Sequence, residues 1–229
     1  MKKILLICLP FAGGSAYELT NQLKDLNNFN IGCVGIDYPG HGEKISQPLL
    51  TNSEKLIENL GSEIHNYILN YSVYILGYSM GASLIPGILR FLKDNYQQHP
   101  KGAILCSVPS PMLNNKNKFP TSKKEITKFM RDNGATPQEV LENEELMSIF
   151  IPIMKADLNL LNRLKEEPTI TIPTEILIGK DDSDSVNSIN YWKQKATTLK
   201  VCILNGDHFF LYKCQHAFIN EVANFIQKN

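Results

Sequence analysis

Neither sign of charge is in excess in this 229-residue chain, whose 23 lysines and arginines offset 23 aspartates and glutamates. Proteins that grip nucleic acid by its phosphates carry a basic surplus, so no nucleic-acid partner is expected. Cysteine pairs are missing too. Cys8, Cys33, Cys106, Cys202 and Cys214 are odd in number, and no two form a C-x-x-C. That spacing argues against a structural zinc site or a disulfide framework and fits reduced cysteines in a cytoplasmic protein. No apolar run nears the ~20 residues that cross a bilayer, so no membrane partner is expected. Lys2-Lys3 followed by ILLICLPFAGGSA outlines a short signal peptide, but the apolar run stops at Leu9, before Pro10. A first β-strand uses the segment better.

What is present is ordinary globular composition, 43% hydrophobic and 20% charged, in a length that suits one domain spanning residues 1–229. Short apolar runs recur at Lys3–Leu9, Ile31–Ile36, Val73–Leu76, Ala103–Ser107, Thr174–Ile178 and Val201–Leu204. Their continuous apolar character predicts strands buried on both faces. Helical spacing fills the intervals, as in Leu56, Ile57, Leu60, Ile64 and Ile68 after a candidate capping box at Thr51 and Glu54. Alternating strands and helices predict an α/β fold, a mostly parallel sheet with helices on both faces. The interval before Thr174 is too long for a crossover and holds helical stretches at Lys123–Asn133 and Pro137–Leu161. It reads as a helical cap inserted at about residues 110–170, over the carboxyl ends of the strands where ligands bind in such sheets.

Gly77-Tyr78-Ser79-Met80-Gly81 is a G-x-S-x-G string directly after one apolar run and directly before an amphipathic helix. The string recurs by chance, but its strand–turn–helix setting is what a nucleophile elbow requires. A serine hydroxyl attacks only when a base takes its proton. Among the five histidines, His208 in Gly206-Asp207-His208 follows the last strand and is best placed. His41, His65, His99 and His216 suit structural or solvated roles. A carboxylate must orient the imidazole, and Gly179-Lys180-Asp181-Asp182 follows the preceding strand. Asp182 is preferred to Asp181, since the chain must turn before a side chain can point back over the sheet; Asp184 and Asp207 are weaker candidates. The order Ser79, Asp182, His208 is that of the α/β-hydrolase fold. Two N–H donors must then hold the oxyanion: backbone Met80, and either Phe11 or Ala12 in the loop after the first strand. The cap residues Phe129, Met147, Ile149, Phe150, Ile151, Ile153 and Met154 offer an acyl channel, though helix packing is the commoner explanation for such residues.

The motifs Leu9-Pro10-Phe11-Ala12-Gly13-Gly14-Ser15, Tyr38-Pro39-Gly40-His41-Gly42, Gly77-Tyr78-Ser79-Met80-Gly81-Ala82, Lys155-Ala156-Asp157 and Gly206-Asp207-His208-Phe209-Phe210 resemble the type II thioesterases of nonribosomal peptide and polyketide synthetases, from residue 4 to the C-terminus. The resemblance implies hydrolysis of acyl thioesters stranded on the phosphopantetheine arm of carrier proteins. It places nucleophile, acid and base on Ser79, Asp182 and His208. Tyr78 stands where that family usually has His, and Lys155 where it usually has Arg. Pro86 falls inside the helix after the nucleophile, where it is expected to kink it. Lys116, Lys118, Lys123, Lys124, Lys128 and Arg131 outnumber Glu125 and Asp132 along the cap. Such a basic patch would steer an acidic carrier protein, with Lys123, Lys124, Lys128 and Arg131 as docking residues. The expectation is a cytoplasmic monomer needing no metal or redox cofactor, the phosphopantetheine belonging to the substrate. A small-molecule carboxylesterase or lipase of the same fold is the alternative, and a non-catalytic binding protein a remoter one.

Overall fold

A computed structural model describes residues 2–111, 119–134, 136–165 and 168–229. The stretch containing Lys116 and Lys118 lies outside them. Six parallel strands form one sheet in the order β2-β1-β3-β4-β5-β6: β1 (Ile4–Leu9), β2 (Gly32–Gly35), β3 (Ser72–Tyr78), β4 (Gly102–Cys106), β5 (Thr174–Gly179) and β6 (Leu199–Leu204). The central strands are buried along nearly their whole length, as uninterrupted apolar runs require. The edge strand β6 is only partly buried, with Lys200 and Ile203 exposed.

Helices cover both faces. The crossover helices α2 (Ser53–Asn70) and α3 (Met80–Tyr96) bury Leu56, Ile57, Leu60, Ile64, Leu84, Ile85, Ile88 and Leu92 on one side. On the other, α1 (Ala16–Gln22) packs beside the long C-terminal helix Gln215–Lys228, which buries Phe218, Val222, Phe225 and Ile226. Each such side chain contributes roughly 1.5–3 kcal/mol of burial, which is why the 3.6-residue spacing was readable. The cap of α2 differs from the expected box. Asn52, not Thr51, accepts the Lys55 N–H, and Glu54 instead reaches Arg90 of α3 at 2.8 Å. Helix α3 continues through Pro86 to Tyr96.

Between β4 and β5 the chain forms α4 (Lys123–Asp132), α5 (Gln138–Leu141) and α6 (Glu144–Leu161). The single helical stretch expected from Pro137 is split, because Asn143 turns out of the helix and its side chain caps the N–H groups of Glu145 and Leu146. A capping box does occur in this region, between Ser122 and Glu125 at the start of α4. Asn162 clips the far end of the cap, exchanging hydrogen bonds with the Phe119 backbone at 2.9 and 3.1 Å. The short helices α7 (Ser183–Asn187), α8 (Ile189–Lys195) and α9 (Phe210–Lys213) and the C-terminal helix α10 (Gln215–Lys228) complete the chain. Strand order reverses between β1 and β3, so the loops leaving their carboxyl ends diverge and open a crevice.

Candidate active site

Ser79 occupies the sharp turn between β3 and α3, and its backbone is strained, with φ 51° and ψ −105°. A non-glycine residue at positive φ costs of order 1–3 kcal/mol, offset here by the packing around it. The flanking glycines permit that packing. A Cβ on Gly77 would lie 2.4 Å from the Ala82 nitrogen, and one on Gly81 would lie 2.2 Å from the Leu9 carbonyl oxygen. The Ser79 N–H is tied to the Cys106 carbonyl at 2.8 Å.

The loop after β6 brings His208 over this turn. Its Nε2 is 3.0 Å from Ser79 Oγ and its Nδ1 is 2.9 Å from Asp182 Oδ2. Asp182, at the end of the β5 turn, is buried, and its carboxylate also accepts from Ser185 Oγ at 2.7 Å and the Ser185 N–H at 3.3 Å. Burial pushes the Asp182 carboxyl up, but the His208 ring and the two Ser185 donors outweigh it and hold the group below the ordinary carboxylate range. Asp182 is therefore an anion at neutral pH and fixes Nδ1 as the protonated nitrogen, leaving Nε2 to face the serine. Of the rejected acids, Asp184 lines the same cavity as Ser79 and His208, and the other two stand elsewhere. Asp181 is exposed, and Asp207 pairs with Lys213.

Two hydroxyls outside the expected set also reach His208. Tyr78 Oη donates to its carbonyl at 2.7 Å, and Ser107 Oγ to the same carbonyl at 2.6 Å. Both hydroxyl-bearing residues are fully buried. Phe209 and Tyr78 set their rings edge-on against the imidazole, with centroids 5.0 and 6.4 Å away. The loop after β1 lies opposite. Pro10 O accepts from Tyr38 Oη at 2.6 Å and from the Gly81 N–H at 3.1 Å, and Gly14 N donates to Phe11 O to close the turn. Among the described residues, no protein acceptor takes the N–H groups of Phe11, Ala12 or Met80.

A cavity of about 670 Å³ opens between this rim and the cap, within the size of small-molecule sites. Ser79, His208 and Ala12 lie on its floor side, and Phe119, Phe129, Phe150, Met154, Leu158 and Leu161 form apolar walls. Of the residues expected to line a channel, Phe129, Phe150 and Met154 do so. Met147 and Ile151 are instead packed in the core, Ile153 is buried away from the cavity lining, and Ile149 is 51% exposed. A helix shows only one stripe of its side chains to any space beside it, so a mixed apolar run cannot line a channel throughout. Lys123, Lys124, Lys128 and Arg131 all stand exposed on α4, while Ile126 and Met130 are buried on the opposite face. Lys128 lies 4.0 Å from Asp132.

The remaining histidines diverge from one another. His65 stacks on Tyr96 at 3.7 Å, whereas His41 is almost fully buried, 2.9 Å from the carboxylate of Asp157. No local pattern linked those two residues. The available signal was an aspartate on the same helical stripe as Met154, Leu158 and Leu161, since a charge on an apolar stripe must have a partner.

The sequence matches the family model for the thioesterase domain over residues 5–229. It is 27% identical to the gramicidin S biosynthesis protein GrsT of Aneurinibacillus migulanus, across 95% of this chain and 86% of that protein. It is 23% identical to the thioesterase PikA5 of Streptomyces venezuelae, across 96% and 80%. Among solved structures, the RedJ thioesterase of the prodiginine pathway in Streptomyces coelicolor superposes with a TM-score of 0.87 at 20% identity, over 98% of this chain and 91% of that one.

Proposed function

The chain belongs to the thioesterase domain family, and from that premise we propose that it is a type II editing enzyme, clearing acyl groups from the phosphopantetheine arm of carrier proteins in peptide or polyketide assembly. The observation that carries this reading is the Ser79–His208–Asp182 relay, continuous at 3.0 and 2.9 Å and opening onto the capped apolar cavity.

Ser79 Oγ attacks the thioester carbonyl while His208 Nε2 takes its proton. Asp182 stabilises the imidazolium without itself becoming protonated. The Met80 N–H and one of the Phe11 and Ala12 N–H groups receive the oxyanion, each such donor being worth about 3 kcal/mol. The tetrahedral intermediate expels the pantetheine thiolate, a good leaving group because a thiol's pKa is near 8.5. The His208 imidazolium gives its proton to that thiolate; the neutral ring then draws a proton from water, which attacks the Ser79 ester, and returns it to Ser79 Oγ as the acid leaves. The apolar walls suit an alkyl or aryl acyl chain. Two bacterial relatives, named for gramicidin S biosynthesis and as the thioesterase PikA5, support the carrier-bound substrate class. The basic face of α4 supports docking of an acidic carrier.

Intact-mass analysis of carrier proteins loaded with a panel of acyl groups tests the reading, with an aryl ester run alongside. The native protein is expected to unload the carriers faster than it cleaves the ester, and Ser79→Ala to do neither. Equal unloading by native and Ser79→Ala protein would remove Ser79 from the mechanism. A marked preference for the aryl ester would make the chain an esterase.

A further inference from the structure

Two motifs of the sequence have no part in the relay, and the structure joins them. Asp157 projects from α6 of the cap and is 1% exposed. Its Oδ2 accepts the backbone N–H of Gly13 at 2.8 Å and lies 2.9 Å from His41 Nε2. His41 Nδ1 in turn lies 3.2 Å from the Pro39 carbonyl oxygen. A carbonyl and a carboxylate both only accept, so the two contacts are satisfied together by the doubly protonated, positively charged ring. Burial works against that charge, but Asp157, the Pro39 carbonyl and the nearby Asp37 together raise the His41 pKa above its ordinary value. Asp37, itself buried, spends its oxygens on the N–H groups of Ala16 and Glu43.

The contact is tight on the cap side as well. A Cβ on Gly13, whose φ is +73°, would lie 2.7 Å from the terminal methyl of Met154, one turn before Asp157 on α6. The loop that offers Phe11 and Ala12 is thus pinned at its start by Tyr38 and Gly81 and at its end by a residue of the cap. Desolvating an ion pair is costly, and apolar side chains of similar volume would hold α6 down at least as well. What they could not do is receive the Gly13 N–H.

We propose that Asp157 and His41 are positioning residues, a buried pair that fastens the cap to the loop after β1 and so aims the Phe11 and Ala12 N–H groups at the oxyanion. The proposal rests on that loop serving the oxyanion hole. Asp157→Asn keeps the shape but removes the charge, and His41→Gln keeps one donor toward Asp157.

The test is steady-state kinetics on a short acyl thioester of pantetheine, together with the affinities of two probes. An alkyl boronic acid forms a tetrahedral adduct on the serine, and the thioether analogue of the substrate stays in the ground state. For Asp157→Asn, kcat is expected to fall about 30-fold or more, approaching the loss of one oxyanion donor. KM and thioether affinity are expected within about twofold of native, with boronate affinity falling in step with kcat. His41→Gln is expected to show the same split at about 5-fold, and it carries the test should Asp157→Asn not fold. Native kcat in either folded variant, or parallel loss of both probe affinities, overturns the proposal. A Ser79→Ala protein that kept native activity in this assay would instead overturn the parent reading.

Discussion

The sheet rim and the cap are built from different forces. At the rim, each reacting side chain is held by directional bonds: His208 by Asp182 on one ring nitrogen and by Tyr78 and Ser107 on its carbonyl, and Asp182 by Ser185. The cap is held mainly by apolar packing of Ile126, Met130, Met147, Ile151 and Leu158, with polar ties at Asn162 and Asp157. Directional bonds cost little reorganisation as charge develops, so the rim suits catalysis. Apolar packing tolerates exchange of similar volumes, so the cap can change its cavity without disturbing the chemistry. In this arrangement the rim carries the Ser79–His208–Asp182 relay and the cap supplies the apolar walls, with Asp157 as the cap's tie to the loop after β1.

Three changes sharpen or break that contrast. The largest effect is expected at Asp182. Asp182→Asn presents a donor to Nδ1, enforces the wrong tautomer, and is expected to lower kcat by about 10³–10⁴-fold with KM little changed. Steady-state kinetics check this, and an equal rise in KM would break the contrast. The same variant carries a pH signature. Because the native Asp182 pKa lies below its unfolded value, the carboxylate's contribution to stability is complete above the unfolded value of about 3.9 and is lost as pH falls through the lower native one. The stability gap between native protein and Asp182→Asn, read from urea midpoints, is expected to be constant above about pH 5 and to shrink below about pH 4.

Next in size are the two hydroxyls on the His208 carbonyl. Tyr78→Phe and Ser107→Ala are each expected to reduce kcat about 5- to 10-fold, the worth of one hydrogen bond. The pair is expected to be non-additive, since both hydroxyls hold one carbonyl. A double-mutant cycle on kcat checks this, and strict additivity would show that they act separately. The smallest effect belongs to the cap surface. Reversing Lys123 and Lys124 to Glu is expected to raise KM several-fold for an acyl carrier protein at low salt and to leave a pantetheine thioester unaffected. Equal change on both substrates would remove α4 from docking.

The legible part of this protein was local. Strand, glycine, serine, glycine and helix sit within a few residues of one another, so Ser79 could be read directly, as could the helical stripes of α2, α3 and α10. Asp182 and His208 were legible because each ends a strand of a parallel sheet, and such sheets gather their strand ends at one rim. The cap was less legible. Its helices show a stripe to the cavity, a stripe to the core and a stripe to solvent, and periodicity does not say which is which. Ile149 and Ile153 belong to the same apolar run as Phe150, yet one faces solvent and the other is packed away. The Thr51 box failed for a related reason: Asn52 competes for the same N-terminal donors, and Glu54 is drawn to Arg90 on another helix.

By itself the sequence determined where a serine, a carboxylate and an imidazole would stand, because turn chemistry and strand ends are short-range properties. Only the tertiary structure decided what holds them. His41 and Asp157 are 116 residues apart, and Tyr78 and the His208 carbonyl 130. Their meeting depends on how the cap and the last loop fold back over the sheet, and a buried charge or hydroxyl shows its need for a partner in the sequence without naming it.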